Sequence, residues 1–484
     1  MHEKPFEVPT VIASATTVNT ASEPPKTIFR NSLHNLPDEL VLIIAAQVPD
    51  QPTLLQLARS SIRLYRLVTP FLYRHFEHHL FSAPQRLHLF LRTLVHHPSI
   101  LTHVSSLALR DPRPGAAFHD LESWSAWATG NYNPALPSRD HASFIRAAAP
   151  LLETQQHRAR TKTALLTQEE AQAALLLTLT THLTDLTLEN PVAATERPRF
   201  VLDHLVLTLL HPVIKAGRAL QALRRLKAVS TRMEGGQGGF RLSSIAPFFH
   251  LPRLEYVTGH VCFEPEDGHF VDFDCPAGTS SVSHIVFQRS SVCPRGMGQM
   301  VRACRGLRTF DCDWAGESVG WVEINFGDLK AALEQHKHTL ERLRLDTRKH
   351  FDSWPERDDG LVLPLGRLDE FEELKVLEVP ASALIGWDEH GVGGFPPLVD
   401  VLPPRIEELR LNEGAPGAQE AVVQLASRCL EYPSLRTVVI CLSAGWEEGA
   451  EEMRGRLGWG NHGLEIWFED GSEVDHFSSG GSDG

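Results

Sequence analysis

"TLERLRLDT", residues 339 to 347, spaces three leucines by three and then two residues: Leu340, Leu343 and Leu345. Leu343 and Leu345 are separated by one residue, so in an extended chain both side chains point to one face and Arg342 and Arg344 to the other. The phrase recurs on both sides as "LTTHLTDLTLEN" (179 to 190), "LPRLEYVTG" (251 to 259), "CRGLRTFDCD" (304 to 313), "FEELKVLEVP" (371 to 380) and "RIEELRLNE" (405 to 413). Its strand positions are Leu186, Leu226, Val257, Ile285, Phe310, Leu343, Leu377, Leu409 and Val438, at intervals of 40, 31, 28, 25, 33, 34, 32 and 29 residues. A short strand and an amphipathic helix repeated at such a period cannot bury their apolar faces alone. Each unit must stack on its neighbours, which predicts an α/β solenoid.

An earlier strand, "SSLALRD" (105 to 111), precedes Leu186 by too long a gap for one repeat. The gap carries Pro, Gly and Trp over 112 to 140 and helical patterns over 141 to 182, so an insertion or a divergent repeat is expected around 112–182. The repeat phrase resembles an irregular leucine-rich-repeat array. The Asn that should follow each strand is mostly absent, so the resemblance implies parallel strands without regular horseshoe curvature.

Composition sets the outer limits. The chain has 484 residues, 42% of them hydrophobic, and a formal charge of -14. An acidic surface does not displace the counterions of nucleic acid or anionic lipid, so neither is an expected partner. "MHEKPFEVPT" lacks the basic start and apolar core of a secretory signal, and no stretch offers about 18 apolar residues to span a bilayer. The expected location is intracellular, cytoplasmic or nuclear. Seven cysteines form no C-x-x-C pair, which predicts reduced core residues rather than a disulfide framework or zinc site.

Towards the N-terminus, residues 1 to 30 are poor in large apolar side chains, which predicts disorder. "NLPDELVLIIAAQVPD" (35 to 50) then places seven consecutive apolar residues, Leu40 to Ala46, on one predicted helix. Pro37 suits the first turn, and Asp38 and Glu39 complement the helix dipole. A helix apolar nearly all round must be covered on more than one side. A second helix is expected from a Thr53–Gln56 capping box, and a third through Ile62 to Val68, broken by Pro70. "FLYRHFEHHL" leads into a further helix at 83 to 96.

Across "LPDELVLIIAAQVPDQPTLLQLARSSIRLYRLVTPFLYRHF" (36 to 76) the sequence resembles the F-box, especially its fungal form. The match runs from Leu36-Pro37-x-Glu39-Leu40 through Ile43 and Ile44, the helix from Leu54 to Leu57, and "SIRLYRLV" to the closing "PFLYRHF". Leu64-Tyr65 stands where many F-boxes carry tryptophan. The resemblance implies a three-helix F-box over 31–80 docking on the Skp adaptor, and through it on a cullin scaffold. It assigns Leu36, Pro37, Glu39, Leu40, Ile43, Ile44, Leu54, Leu57, Leu64, Phe71 and Leu72 to forming or supporting that surface. The repeats, over 81–470 before a flexible acidic tail at 471–484, would hold an unknown protein substrate. Strand alternation points to their outward residues: Asp311, Asp313, Arg342, Arg344, Asp346, Glu378, Glu408, Arg410 and Asn412.

Catalytic signals are weak. "EGGQGGF" (234 to 240) lacks the Lys-Ser/Thr of a phosphate loop and the spacing of a dinucleotide fingerprint. His78-His79 and His96-His97 are adjacent pairs on different helix faces, and there is no H-E-x-x-H or G-x-S-x-G. Asp311 and Asp313 share a face but have no third polar group at a defined spacing. No metal, cofactor or catalysis is expected. The implied role is the substrate receptor of a ubiquitin ligase. The alternatives are an adaptor-binding scaffold uncoupled from ubiquitin transfer and, least favoured, an enzyme built on the repeats.

Overall fold

The computed structural model describes residues 33–79, 84–110, 138–149, 165, 169–190, 221–233, 240–242, 245–264, 273–314, 326–348, 365–385, 397–412, 418–442 and 465–470. Residues 1 to 30, expected to be disordered, and 471–484, expected to be a flexible tail, lie outside them, as do 234 to 239 and nearly all of 112 to 140. The chain divides into two compact units, Met1–Val68 and Thr69–Gly484.

The first unit is built on helices α1 (Asp38–Gln47), α2 (Gln51–Ser60) and the start of α3 (Ile62–Leu72). Each turns one i, i+4 pair inward: Val41 and Ala45, Leu54 and Ala58, Leu64 and Val68 are all buried. Arg63 ties α3 back to α1, its guanidinium donating to Asp38 Oδ1 at 2.8 Å and to the Leu36 carbonyl. Pro37 caps α1 with no side-chain bond, and Asp38 and Glu39 occupy its first turn.

Two local expectations are corrected here. Asp50, not Thr53, caps α2, accepting the Thr53 amide at 2.7 Å, with Pro52 in the first turn. A proline in the first turn requires the cap to precede it, so the residue before Gln51 has to do the capping. Pro70 does not break α3, which runs on to Leu72, and the Tyr73 amide donates to the Thr69 carbonyl at 3.2 Å. Pro70 denies a hydrogen bond only to the carbonyl of Arg66, an exposed residue that water can reach.

The second unit is α/β. Twelve strands form one parallel sheet in the order β1 (His75–His79), β2 (Ser106–Arg110), β3 (Asp185–Asn190), β4 (Ala228–Met233), β6 (Tyr256–His260), β8 (His284–Gln288), β10 (Thr309–Asp313), β11 (Arg342–Asp346), β12 (Val376–Val379), β13 (Glu408–Leu411), β14 (Thr437–Leu442) and β15 (Glu465–Asp470). Spatial order follows sequence order. β5 (Phe240–Arg241), β7 (Cys262–Glu264) and β9 (Ser291–Val292) make a second, three-stranded parallel sheet. Val261 and Arg289, at φ 55 and 50, turn the chain from β6 into β7 and from β8 towards β9. Neither short sheet nor corner was legible in the repeat phrase.

One register line runs through Phe76, Leu107, Leu186, Val229, Val257, Ile285, Phe310, Leu343, Leu377, Leu409 and Val438, all buried. Eight of the nine strand positions read from sequence lie on it. The ninth, Leu226, precedes β4 as a core residue, and Val229 takes its place. The segment expected to close the 31–80 domain holds β1, so "HFEHH" belongs to the sheet. His78 and His79 are therefore on opposite faces of a strand rather than of a helix.

The connections are uneven, which accounts for the irregular period. α4 (Pro84–His96), α5 (Ser138–Ala147) and α6 (Glu169–Leu179) occupy the early crossovers, with helices where 83 to 96 and 141 to 182 predicted them. α7 (Pro294–Ala303), α8 (Phe326–Leu333) and α10 (Ala418–Ser427) recur later, around a short α9 (Ala381–Ile385). His336 staples adjacent units: its Nδ1 accepts the Leu307 amide at 3.2 Å and its Nε2 meets the Val301 carbonyl at 2.9 Å. That pattern requires the neutral ring with the proton on Nε2, and burial holds its pKa below the usual value against the pull of the Val301 carbonyl.

Candidate interaction surfaces

The two surfaces named from sequence fare differently. On α1 the inward pair Val41 and Ala45 leaves Leu40, Ile43 and Ile44 on a second stripe, exposed, with Ile43 58% accessible. Leu42, Leu55, Ile62 and Tyr65 are exposed in the same unit. Pro37 and Glu39 are exposed, and Leu36 and Leu57 half-buried. Leu54 and Leu64 are buried and can serve such a surface only from beneath. Phe71 and Leu72 lie beyond the division of the two units and are half-buried. The composition of the run from Leu40 to Ala46 gives no sign of which residues face out, because every position in it suits a core.

A run of exposed aliphatics is costly in water. Leu40, Ile43 and Ile44 are 38–58% accessible, so covering each would contribute about half of the roughly 1.5–3 kcal/mol of a fully exposed side chain, before the cost of association.

The strand face was expected to be a continuous, solvent-facing surface of mixed charge. Its residues are placed together as expected, but much of the surface is buried. One register line sets Asp311, Arg344, Glu378 and Arg410 side by side on β10 to β13. The Arg344 guanidinium reaches Glu378 at 2.9 Å and Asp311 and Asp346 at 3.3 Å each. Arg348 holds Asp346 from the other side at 2.6 Å, and Arg410 approaches Glu378 at 4.0 Å. Three carboxylates and three guanidiniums thus neutralise one another, with Asp346 and Glu378 buried. Asp313 accepts the Arg289 amide at 3.4 Å.

The electrostatics follow from that cage. Burial pushes the Asp311 carboxyl up, and Arg344 and Arg342 pull it back only in part. Burial acts on Asp346 in the same sense, but its bonds to Arg348 prevail and hold it below the ordinary range. Burial would lower Arg344, and Glu378 and Asp311 more than offset it, so its charge is secure.

Asn412 is 2% exposed and structural. Alternate β12 amides donate to β11, as Val376 does to the Glu341 carbonyl. Continuing that alternation, the Leu345 carbonyl should be served by residue 380, a proline without an N–H. Asn412 Nδ2 donates to the Leu345 carbonyl instead, at 3.2 Å.

Arg342 and Glu408 remain on the outer face, half-buried, on the register line before the cage. Tyr256, His284 and Thr309 share that line and were not singled out in the sequence. Recurrence of polar or aromatic residues one place before the inward strand position is the signal that would have found them.

Among the described residues no group of three or more His, Cys, Asp or Glu could hold a metal ion, and no helix is long and apolar enough to cross a membrane. The chain matches no protein-family model, and the comparison with curated proteins returns no match.

Proposed function

We propose that the chain is the substrate-recognition subunit of a Skp, cullin and F-box type ubiquitin ligase. The first unit is then an F-box that docks on the Skp adaptor. The sequentially ordered sheet is an irregular leucine-rich-repeat-like solenoid that holds the substrate. The observation that carries this reading is the stripe of Leu40, Ile43 and Ile44, exposed on a helix whose opposite pair, Val41 and Ala45, is already buried. Such a stripe needs a protein to cover it, and the motif around it resembles the F-box from Leu36 to Phe76.

In this role the chain makes and breaks no covalent bond. It contributes proximity, raising the concentration of a substrate lysine near activated ubiquitin by tethering both. A scaffold that binds the adaptor without ubiquitin transfer would use the same stripe. Turnover separates the two: proteins that co-purify with the wild-type chain should be stabilised in cells when cullin or adaptor is depleted. Unchanged half-lives would sink the ligase reading and leave the scaffold.

A further inference from the structure

On the outer sheet face, one register line before the ionic cage, Tyr256, His284, Thr309, Arg342, Val376 and Glu408 stand on six adjacent strands. Tyr256 is 43% exposed and stacks on His284, with ring centroids 4.4 Å apart and planes 6° from parallel. His284 Nδ1 lies 3.0 Å from Thr309 Oγ1, which fixes the ring. The aromatic end of the row is therefore a rigid, flat platform.

Its charged end is unlike the cage. Arg344 and Arg410 are committed to carboxylates, whereas among the described residues the Arg342 and Glu408 side chains have no hydrogen-bond or ion-pair partner. Asp311 in the neighbouring line attracts Arg342 at longer range but gives its ion pair to Arg344. One cation and one anion are thus left for a partner, with Val376 between them.

We infer that this row is the substrate-binding line. It takes an extended peptide segment that crosses the strands, laying an apolar side chain on Tyr256, an acidic one on Arg342 and a basic one on Glu408. The inference rests on the reading of the sheet as the substrate-holding part of a receptor. Strand spacing sets the peptide's register. Tyr256 and Arg342 are three strands apart, about 14 Å, and Arg342 and Glu408 two strands, about 10 Å. At about 3.3 Å per extended residue, and with side chains alternating in direction, the residues that face the sheet are an even number apart: four between the apolar and acidic residues, and two between the acidic and basic ones, where the Lys side chain spans the remaining ~3 Å. Main-chain contacts add nothing specific here, so the spacing of three side chains is the recognition element.

The test is fluorescence anisotropy of the purified full chain with two fluorescein-labelled octapeptides, Leu-Gly-Ser-Gly-Glu-Ser-Lys-Gly and its reverse, which cover both polarities of the segment. One of the two should bind, and its Gln-for-Glu counterpart should bind about tenfold more weakly. Arg342→Glu and Glu408→Arg should each cost about tenfold or more. The double variant should bind a peptide with Glu and Lys exchanged and lose the original. Neither side chain has a hydrogen bond or ion pair to lose, so the variants should keep hydrogen-exchange protection in β10 to β13 within a few-fold of wild type.

Absence of binding by both peptides, or equal binding by the charge variants, overturns the inference. Adaptor binding by the same preparation is read separately. A chain that binds adaptor but neither peptide loses this row alone. One that binds peptide but not adaptor keeps the row and loses the ligase reading.

Discussion

Replacing Arg344 with Leu removes the centre of the ionic cage while leaving its carboxylates in place. Arg344 is 22% exposed at its side chain, and its three partners are 13% or less, so solvent screens these contacts poorly. Breaking a buried pair by deleting one member costs about 3–5 kcal/mol, because the other charge is left uncompensated. Here Arg348 still holds Asp346 and Arg410 still faces Glu378, so only Asp311 loses its whole ion pair. That places the cost near the lower end, about 3 kcal/mol, or roughly a hundredfold loss of protection at about 1.4 kcal/mol per factor of ten.

Hydrogen exchange of the β10 to β12 amides is the assay, because a long repeat array need not unfold in one step. Arg342→Leu, on the same strand but without an ion pair, is the control and should change protection only two- to threefold, about 0.5 kcal/mol. Adding Asp311→Asn to Arg344→Leu should recover most of the loss, since burial already disfavours that carboxylate. If Arg344→Leu proves no worse than Arg342→Leu, the cage is a solvated surface after all.

Asn412→Ala should cost about 1–3 kcal/mol by leaving the Leu345 carbonyl unserved. Pro380→Ala restores an N–H at residue 380 and should return part of that stability, as read by exchange in β11. His336 is held neutral by burial, its folded pKa below the unfolded one, so its contribution is present above about 6.5 and lost as pH falls through the folded value. Exchange protection near Leu307, corrected for intrinsic rates, should therefore fall between pH 7.5 and 5.5 in wild type and stay flat in His336→Gln.

The strands were legible because their inward positions repeat chemically: Phe310, Leu343, Leu377 and Leu409 are all large and apolar. β4 was misplaced because its inward residues, Val229 and Thr231, are smaller than Leu223 and Leu226 just before them, and the leucines drew the reading. β1 was hidden by "HFEHH", in which Phe76 is the only aliphatic or aromatic core residue of the usual kind. Alternation correctly placed Asp311, Arg344, Glu378 and Arg410 on one face. It could not reveal that they neutralise one another, since the local pattern of one strand carries no information on its neighbours' charges. Reversing Arg344 would therefore damage the sheet before it disturbed any substrate.

The α1 stripe was legible as apolar from composition, whereas which of its residues face outward came only from the resemblance. That exposure is where the functional account stands or falls, and the affinity of the full chain for a purified Skp adaptor measures it most directly. Ile44→Asp and Leu40→Asp each remove an apolar contact worth about 1 kcal/mol, given their partial exposure, and place in the interface a charge whose desolvation costs more, so each should weaken binding by well over tenfold. Both residues are exposed in the free chain, so the variants should retain wild-type stability. Adaptor binding at wild-type affinity by folded Ile44→Asp and Leu40→Asp, or none by the wild-type chain, would contradict the account.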